Sequence, residues 1–150
     1  MNRILIATDG SPASTEATHF GLELAAEEHA AVVFVHVAPA RDVVPTMGGF
    51  GMTGTLPHEM TEHDRSPLDE AVTLAEEEGV LARSTLLQGN VVDEIVAYAD
   101  ERDVDLIVLG SRGHGLLAGA LLGSVSQGVV RESKLPVVVV RGLAAAAIPA

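Results

Sequence analysis

The 150-residue sequence has no cysteine, a single lysine and no long hydrophobic run. The lack of cysteine excludes disulfide bonds and thiol chemistry. No apolar stretch approaches the ~20 residues that a membrane-spanning helix needs, and the N-terminus enters a strand-like run without a signal-peptide pattern. We therefore expect one soluble, cytoplasmic domain with a substantial core and no membrane as a partner.

Basic residues are scarce, since nine lysines and arginines stand against 21 acidic residues, for a net charge of −12. This charge repels phosphate backbones, so we expect no nucleic acid as a partner. The acidic residues are dispersed along predicted helices, as on solvated surfaces. Together with the single lysine they indicate a halophilic protein, because high salt screens such self-repulsion. An ordinary acidic cytosolic protein is the alternative.

Apolar runs alternate with amphipathic segments along the chain. The pattern predicts strands at 3–8, 31–37, 81–87, 106–109 and 137–140, and helices at 14–29, 58–78, 91–102 and 124–133. Ser11 or Ser14 is expected to cap the first helix and Asn90 the third. Ser124 is expected to cap the fourth helix, and Gly79 to end the second. Strands that alternate with helices imply right-handed crossovers and an α/β fold, a single open parallel sheet with helices on both faces.

In such sheets a ligand site lies beyond the carboxyl ends of the strands, where the strand order reverses. Asp9 follows the first predicted strand, and Gly110 follows the apolar run of the fourth. If those two strands are neighbours in the sheet, both residues face one crevice.

A glycine-rich segment follows the fourth predicted strand and leads to a second Gly-Ser step at the start of the fourth helix. Backbone N–H groups at such a turn approach phosphate oxygens closely, and the surrounding hydroxyl and basic groups add donors. The segment lacks the Gly-Lys-Ser/Thr of a Walker loop, since the only lysine is Lys134, and it is no Rossmann fingerprint. A purely structural glycine loop is the alternative. The candidate phosphate contacts are Gly110, Arg112, Gly113, His114, Gly123, Ser124 and Ser126.

Four segments of the chain carry a family resemblance: Ile4 to Ser11, Val35 to Pro39, Gly89-Asn90 ahead of Glu94-Ile95, and Gly110-Ser111-Arg112-Gly113 with nine residues to Gly123-Ser124. Together they resemble the universal stress protein family. The similarity covers about residues 2–141, and the long glycine motif is typical of the family's ATP-binding branch. It implies a Rossmann-like fold of the adenine-nucleotide α-hydrolase type, with sheet order 3-2-1-4-5, and homodimers that pair through strand 5, Val137–Val140.

The resemblance also implies a nucleotide site. Asp9 would face the ribose or phosphates near Mg²⁺ or Mn²⁺ bound with the nucleotide, and Ala7 and Val37 would line the adenine and ribose pocket, Val37 with its backbone. Val91 departs from the family, which often has proline there, in a turn expected to lie away from the glycine loop. Thr8 and Leu109 complete the set. Gly110, Arg112, Gly113 and His114 would wrap the phosphates and ribose, and Gly123, Ser124, Val125 and Ser126 would hold the β- and γ-phosphates.

Three functional hypotheses follow from this pattern. The first is a regulatory or stress-survival module that binds ATP or AMP with little or no turnover and acts on an unidentified protein partner. The second is a slow ATPase or adenine-nucleotide hydrolase that uses the same pocket. The third, a chaperone-like member without nucleotide, is disfavoured by the glycine motif. The sequence shows no general base, arginine finger or Walker lysine for phosphoryl transfer, which favours the first hypothesis. It leaves the ligand open among ATP, AMP and cyclic nucleotides.

Further predictions concern histidines and loops. His58 and His63 are five residues apart, so they do not share a helix face as the histidines of an H-E-x-x-H zinc site do. His19, His29 and His36 are expected to be surface or strand-packing residues. The glycine- and methionine-rich loop at 41–57 is expected to be a mobile flap near the adenine pocket or the dimer surface. Residues 143–150 are expected to form a disordered tail after a domain at 1–142.

Overall fold

The computed structural model describes residues 1–39, 61–112 and 122–142. The predicted flap, the predicted tail, His58, Gly113 and His114 lie outside the described residues. Every predicted strand and helix is present, with ends that differ by at most a few residues. The elements are β1 (Arg3–Ala7), α1 (Pro12–Glu28), β2 (Ala31–Ala38), α2 (Glu62–Glu77), β3 (Ala82–Gln88), α3 (Val91–Glu101), β4 (Leu106–Gly110), α4 (Ser124–Glu132) and β5 (Val137–Val140).

The five strands form one parallel sheet in the order β3-β2-β1-β4-β5, which confirms the predicted fold. β1 lies at the centre, with Ile4 opposite both Val32 of β2 and Leu106 of β4. The chain builds the sheet outwards from β1 to one edge and then crosses to β4 on the other side. The strand order therefore reverses between β1 and β4, so the residues that follow these two strands meet at one crevice.

The core has two apolar layers, one on each face of the sheet. Ile4 and Ile6 of β1 pack on the side of α1 and α2, whereas Leu5 between them packs on the side of α3 and α4. All three are fully buried. The edge strand β3 is different, because Arg83 and Ser84 are exposed. Leu81, predicted to begin this strand, lies before it and is 74% exposed.

Local hydrogen bonds explain where the helices begin. Ser11 caps α1 by accepting the N–H of Ser14 at 3.3 Å, and Asn90 caps α3 by accepting that of Asp93 at 3.1 Å, as predicted. The second helix was predicted to begin at residue 58, which is wrong. It begins at Glu62, since Thr61 before it is extended and is bonded through its N–H and hydroxyl to the Asp64 carboxylate. Gly79 follows the end of that helix with a left-handed φ of 70°, as expected.

The amino end of the sheet, opposite the crevice, is held by Asp105. Its Oδ2 accepts the backbone N–H groups of Asn2 at 2.7 Å and Arg3 at 2.9 Å. The hydrogen bond from Asn2, followed by that from Arg3, holds the pKa of the Asp105 carboxyl below its ordinary value. Arg3 also donates from its guanidinium to the carbonyl of Arg102. Across the described ranges, no helix is both long and apolar enough to cross a membrane.

Candidate functional site

A cavity of about 300 Å³ lies at the carboxyl ends of β1, β2 and β4, beside the first turns of α3 and α4. Eleven of the thirteen predicted site residues line it, and the other two, Gly113 and His114, lie outside the described residues. The eleven are Ala7, Thr8, Asp9, Val37, Leu109, Gly110, Arg112, Gly123, Ser124, Val125 and Ser126.

Two hydrogen bonds to the carbonyl of Ser111 attach the start of α4 to the end of β4, and a third contact lies within the start of α4 itself. The N–H of Gly123 donates to the carbonyl of Ser111 at 2.6 Å. The hydroxyl of Ser126 is 2.9 Å from the same carbonyl and 3.2 Å from that of Gly123. The Gly123 N–H and the Ser126 hydroxyl proton, both predicted to contact phosphate, are therefore already engaged in holding α4 at the cavity.

The residue that caps α4 is Gly123, and the prediction that Ser124 caps it is wrong. Gly123 has an extended conformation, with φ −72° and ψ 167°, whereas Ser124 is the first helical residue. Glycine has no side chain with which to accept an N–H of the first turn. In the described part of the chain, the N–H groups of Ser124, Val125 and Ser126 consequently have no acceptor. Such groups point outwards along the helix axis and carry its positive partial charge, so this end of the cavity favours an anion.

The end of β1 and the first turn of α1 supply a carboxylate and hydroxyls to the cavity. Oδ1 of Asp9 accepts the backbone N–H of Ser11 at 2.9 Å. The hydroxyls of Thr8 and Ser14 lie 3.3 Å apart and are buried. Ser11 caps α1, so the Asp9 carboxylate does not cap this helix.

Gly110 is required by the packing of α1. A Cβ atom at this position would lie 2.7 Å from the backbone carbon and oxygen of Ala13 and 2.9 Å from the nitrogen of Ser14. Such distances do not occur between a Cβ and backbone atoms. This glycine of the motif thus allows the close approach of β4 to α1, which is a structural reason independent of any ligand.

Five further residues line the cavity that the sequence did not single out as site residues: Ser14, Val35, His36, Val91 and Ile95. His36 was expected to be a surface or packing residue, but it is half-buried and its Nδ1 lies 2.8 Å from the carbonyl oxygen of Thr8. Val91 was expected to lie away from the glycine loop, yet it borders the same cavity as Gly110 at the start of α3. For His36, its position next to Val37 in the sequence could have indicated that it lines the cavity. For Val91, the departure from the family pattern could have done so.

Charged groups around the cavity are few. Arg112 is the only cationic side chain among the described residues that line it, and Asp9 is the only carboxylate there. Lys134 lies just before β5, at the opposite end of the sheet. His63 is exposed on α2. No cluster of three or more histidine, aspartate or glutamate side chains within the described ranges could hold a metal ion.

Comparisons with known proteins bear on this arrangement. The model of the universal stress protein family matches residues 1–141, nearly the whole chain. The chain belongs to the universal stress protein family. Among curated members of the family, Universal stress protein MJ0531 of Methanocaldococcus jannaschii is 35% identical over 141 residues, which cover 93% of this chain and 81% of that protein.

Solved structures of universal stress proteins share the fold. One from Archaeoglobus fulgidus, in complex with dAMP, is 27% identical with a TM-score of 0.70 and covers 93% of this chain and 97% of its own. Another universal stress protein, in complex with cAMP, is 28% identical with a TM-score of 0.69 and covers 93% and 95% of the two chains.

Proposed function

We propose that this protein binds an adenine nucleotide, ATP or AMP, and acts as a regulatory or stress-survival module with little or no turnover. The observation that carries the proposal is the uncapped first turn of α4, whose three N–H groups lie at a cavity where the strand order reverses. The complexes of similar proteins with dAMP and cAMP support the choice of an adenine nucleotide.

The two ends of the cavity differ in polarity, and this supports one orientation of the nucleotide. Val35, Val37, Val91 and Ile95 form an apolar side that suits a base. Phosphates would lie at the first turn of α4, near Arg112.

A divalent ion would come with the phosphates. Mg²⁺ in nucleotide sites is held by one or two carboxylates together with phosphate oxygens and water. Asp9 supplies the one carboxylate among the described lining residues, which fits that pattern, whereas an ion held by protein side chains alone would need more ligands. We therefore propose Mg²⁺ or Mn²⁺ as a companion of the nucleotide, with Asp9 as the protein group that faces it.

Slow hydrolysis is the second candidate function, and the cavity favours it less. Phosphoryl transfer requires cationic groups that stabilise the transition state and a group that orients the attacking water. Arg112 is the single cation among the described lining residues, and the only lysine is at the far end of the sheet. We expect turnover orders of magnitude below the ~10 s⁻¹ of a median enzyme. ATP hydrolysis at several per second that is lost in Asp9→Ala would favour the enzyme instead.

Substitution of Ser124 tests the proposal at the atoms that carry it. Proline fits the first helical position, and Gly123 before it is already extended, so Ser124→Pro removes one N–H while the helix is retained. Ser124→Ala keeps the N–H and removes only the hydroxyl, so it is the matched control. Hydrogen bonds to charged groups contribute about 1.5–3 kcal/mol, so calorimetry should find ATP and AMP bound at least about 10-fold more weakly by Ser124→Pro.

Adenosine provides the ligand control, because it lacks phosphate and should bind both variants as it binds the unsubstituted protein. Equal ATP affinity in Ser124→Pro and in the unsubstituted protein would contradict the assignment of phosphate to α4. Mass spectrometry of the nucleotide that co-purifies with the protein would identify the native ligand.

We also propose that the protein forms a homodimer through β5. Its four valines are half-buried, and within the described residues the strand pairs only with β4. An open, uncharged edge of this kind favours pairing with the same edge of a second copy. The cytoplasmic location, the halophilic source and the regulatory partner stay predictions.

A further inference from the structure

The pairing of β1 with β2 ends in an irregular step at the cavity. The regular ladder ends with Ala7 opposite Val35, and the N–H of Thr8 then donates to the carbonyl of Val35 at 2.9 Å. In a continuing parallel ladder, the next bond would run from the N–H of Val37 to the carbonyl of Thr8. That bond is not made among the described residues. The Thr8 carbonyl oxygen instead lies 2.8 Å from Nδ1 of His36.

The chemistry of this contact fixes the proton on the imidazole. A carbonyl oxygen can only accept a hydrogen bond, so Nδ1 of His36 carries the hydrogen and donates it to Thr8. The side chain of His36 thus takes the place that the N–H of Val37 would have had.

Val37 is left with an unpaired backbone edge at the cavity. It is buried, with 6% of its surface exposed, and it lines the cavity. On the side that faces β1, neither its N–H nor its carbonyl has a backbone partner within the described ranges. Buried backbone groups are seldom left without a partner, so a ligand or bound water is expected to satisfy these two.

We propose that His36 is a positioning residue that keeps the Val37 backbone open for the base of the nucleotide. By occupying the Thr8 carbonyl, its imidazole prevents the ladder from closing by one more step. The open N–H and carbonyl then suit a planar ring with a donor next to an acceptor, as on the amino edge of adenine. This inference rests on the proposed function, and it assigns the selection of the base to a residue that need not touch it.

Two substitutions at His36 separate its hydrogen bond from its volume. His36→Leu removes the donor, so the Thr8 carbonyl becomes available to Val37. His36→Asn places an amide N–H as far from Cβ as Nδ1 is, and it should restore the contact. The matched control is His19→Leu, at a histidine on α1 whose side chain is 50% exposed.

Calorimetry with AMP and with ribose 5-phosphate gives the functional readout. His36→Leu should bind AMP about 10-fold more weakly, because hydrogen bonds to the base are lost, and should bind ribose 5-phosphate unchanged. His36→Asn and His19→Leu should bind both ligands like the unsubstituted protein. Unchanged AMP affinity in His36→Leu would overturn the inference. An equal loss in His36→Asn and His36→Leu would overturn it as well, since volume rather than the donor would then matter.

Amide hydrogen exchange in the ligand-free protein tests the same inference without any nucleotide. The Val37 amide should exchange much faster than that of Val35, which lies inside the ladder, and it should become protected in His36→Leu. A Val37 amide as protected as that of Val35 in the unsubstituted protein would overturn the inference, even if His36→Leu does not fold. If the unsubstituted protein binds no adenine nucleotide, the proposed function fails, whereas the exchange measurement still decides whether His36 holds Val37 open.

Discussion

Substitution of Gly110 by alanine should destabilise the protein, because the added Cβ would collide with the backbone at the start of α1. The backbone of Gly110 does not have a positive φ, so alanine is compatible with its conformation. Its Cβ, however, would lie 2.7 Å from the carbonyl group of Ala13, about 0.7 Å inside an ordinary van der Waals contact of roughly 3.4 Å. The obstructing atoms are helix backbone and cannot rotate away. The strand end or the first turn of α1 must therefore move.

Overpacking of this kind costs roughly 1–3 kcal/mol. For a chain of this length, a loss of about 2 kcal/mol corresponds to a fall in Tm of about 4–8 °C. Gly123→Ala is the matched control within the same motif. Its Cβ would lie 3.3 Å from the carbonyl oxygen of Ser111 and 3.5 Å from Cα of Arg112, so small shifts accommodate it, and we expect a loss below about 1 kcal/mol.

Thermal unfolding followed by circular dichroism, together with urea titration, distinguishes the two variants. The urea midpoint of Gly110→Ala should fall without a change in slope, because only stability changes. A Tm within 1 °C of the unsubstituted protein would refute the argument that α1 requires this glycine. A larger loss in Gly123→Ala than in Gly110→Ala would refute it too.

Three further predictions concern other parts of the molecule. Asp105→Asn should lower Tm at pH 7. Because the fold lowers the pKa of the Asp105 carboxyl, the ionised carboxylate stabilises the protein above about pH 4, and this stabilisation is lost as the pH falls through the folded pKa. Thermal melts from pH 7 to pH 2 should therefore show the two proteins converging, and a constant difference would contradict this. The Val140 carbonyl faces β4, so the N–H of the neighbouring Val139 faces outwards, towards the proposed partner strand. Val139→Pro removes this N–H and should therefore convert the dimer to a monomer in light scattering. A monomeric unsubstituted protein at micromolar concentration in high salt would exclude the dimer. Ser126→Ala should lower the free energy of unfolding by about 1 kcal/mol in urea titrations, since a buried hydroxyl bond is lost, and an unchanged midpoint would contradict that role.

Much of the fold follows from local sequence patterns. Continuous apolar runs such as Leu106 to Leu109 specify buried strands, because each side chain of a central strand meets a core layer. Ser11 and Asn90 specify helix starts because their side chains accept N–H groups only three residues away. The strand order came from the family resemblance, and it placed the residues after β1 and β4 at one crevice.

Prediction was least accurate where a neighbouring element decides a residue's role. Ser124 has the preferred chemistry of a helix cap. Hydrogen bonds from Gly123 and Ser126 to Ser111, more than ten residues earlier, nevertheless place the cap of α4 at Gly123, so that Ser124 is the first helical residue. Leu81 has the character of a strand residue, yet β3 is an edge strand and leaves it exposed.

The sequence by itself determined which segments are strands and helices and which residues gather after the strands. Periodicity and short-range hydrogen bonds act within a few residues, so the chain records them directly. Only the tertiary structure decided which donor reaches which acceptor across the crevice. His36 reaches the Thr8 carbonyl across 28 positions, and Gly110 meets α1 nearly a hundred residues away, because contacts at 3 Å depend on how closely packed elements approach.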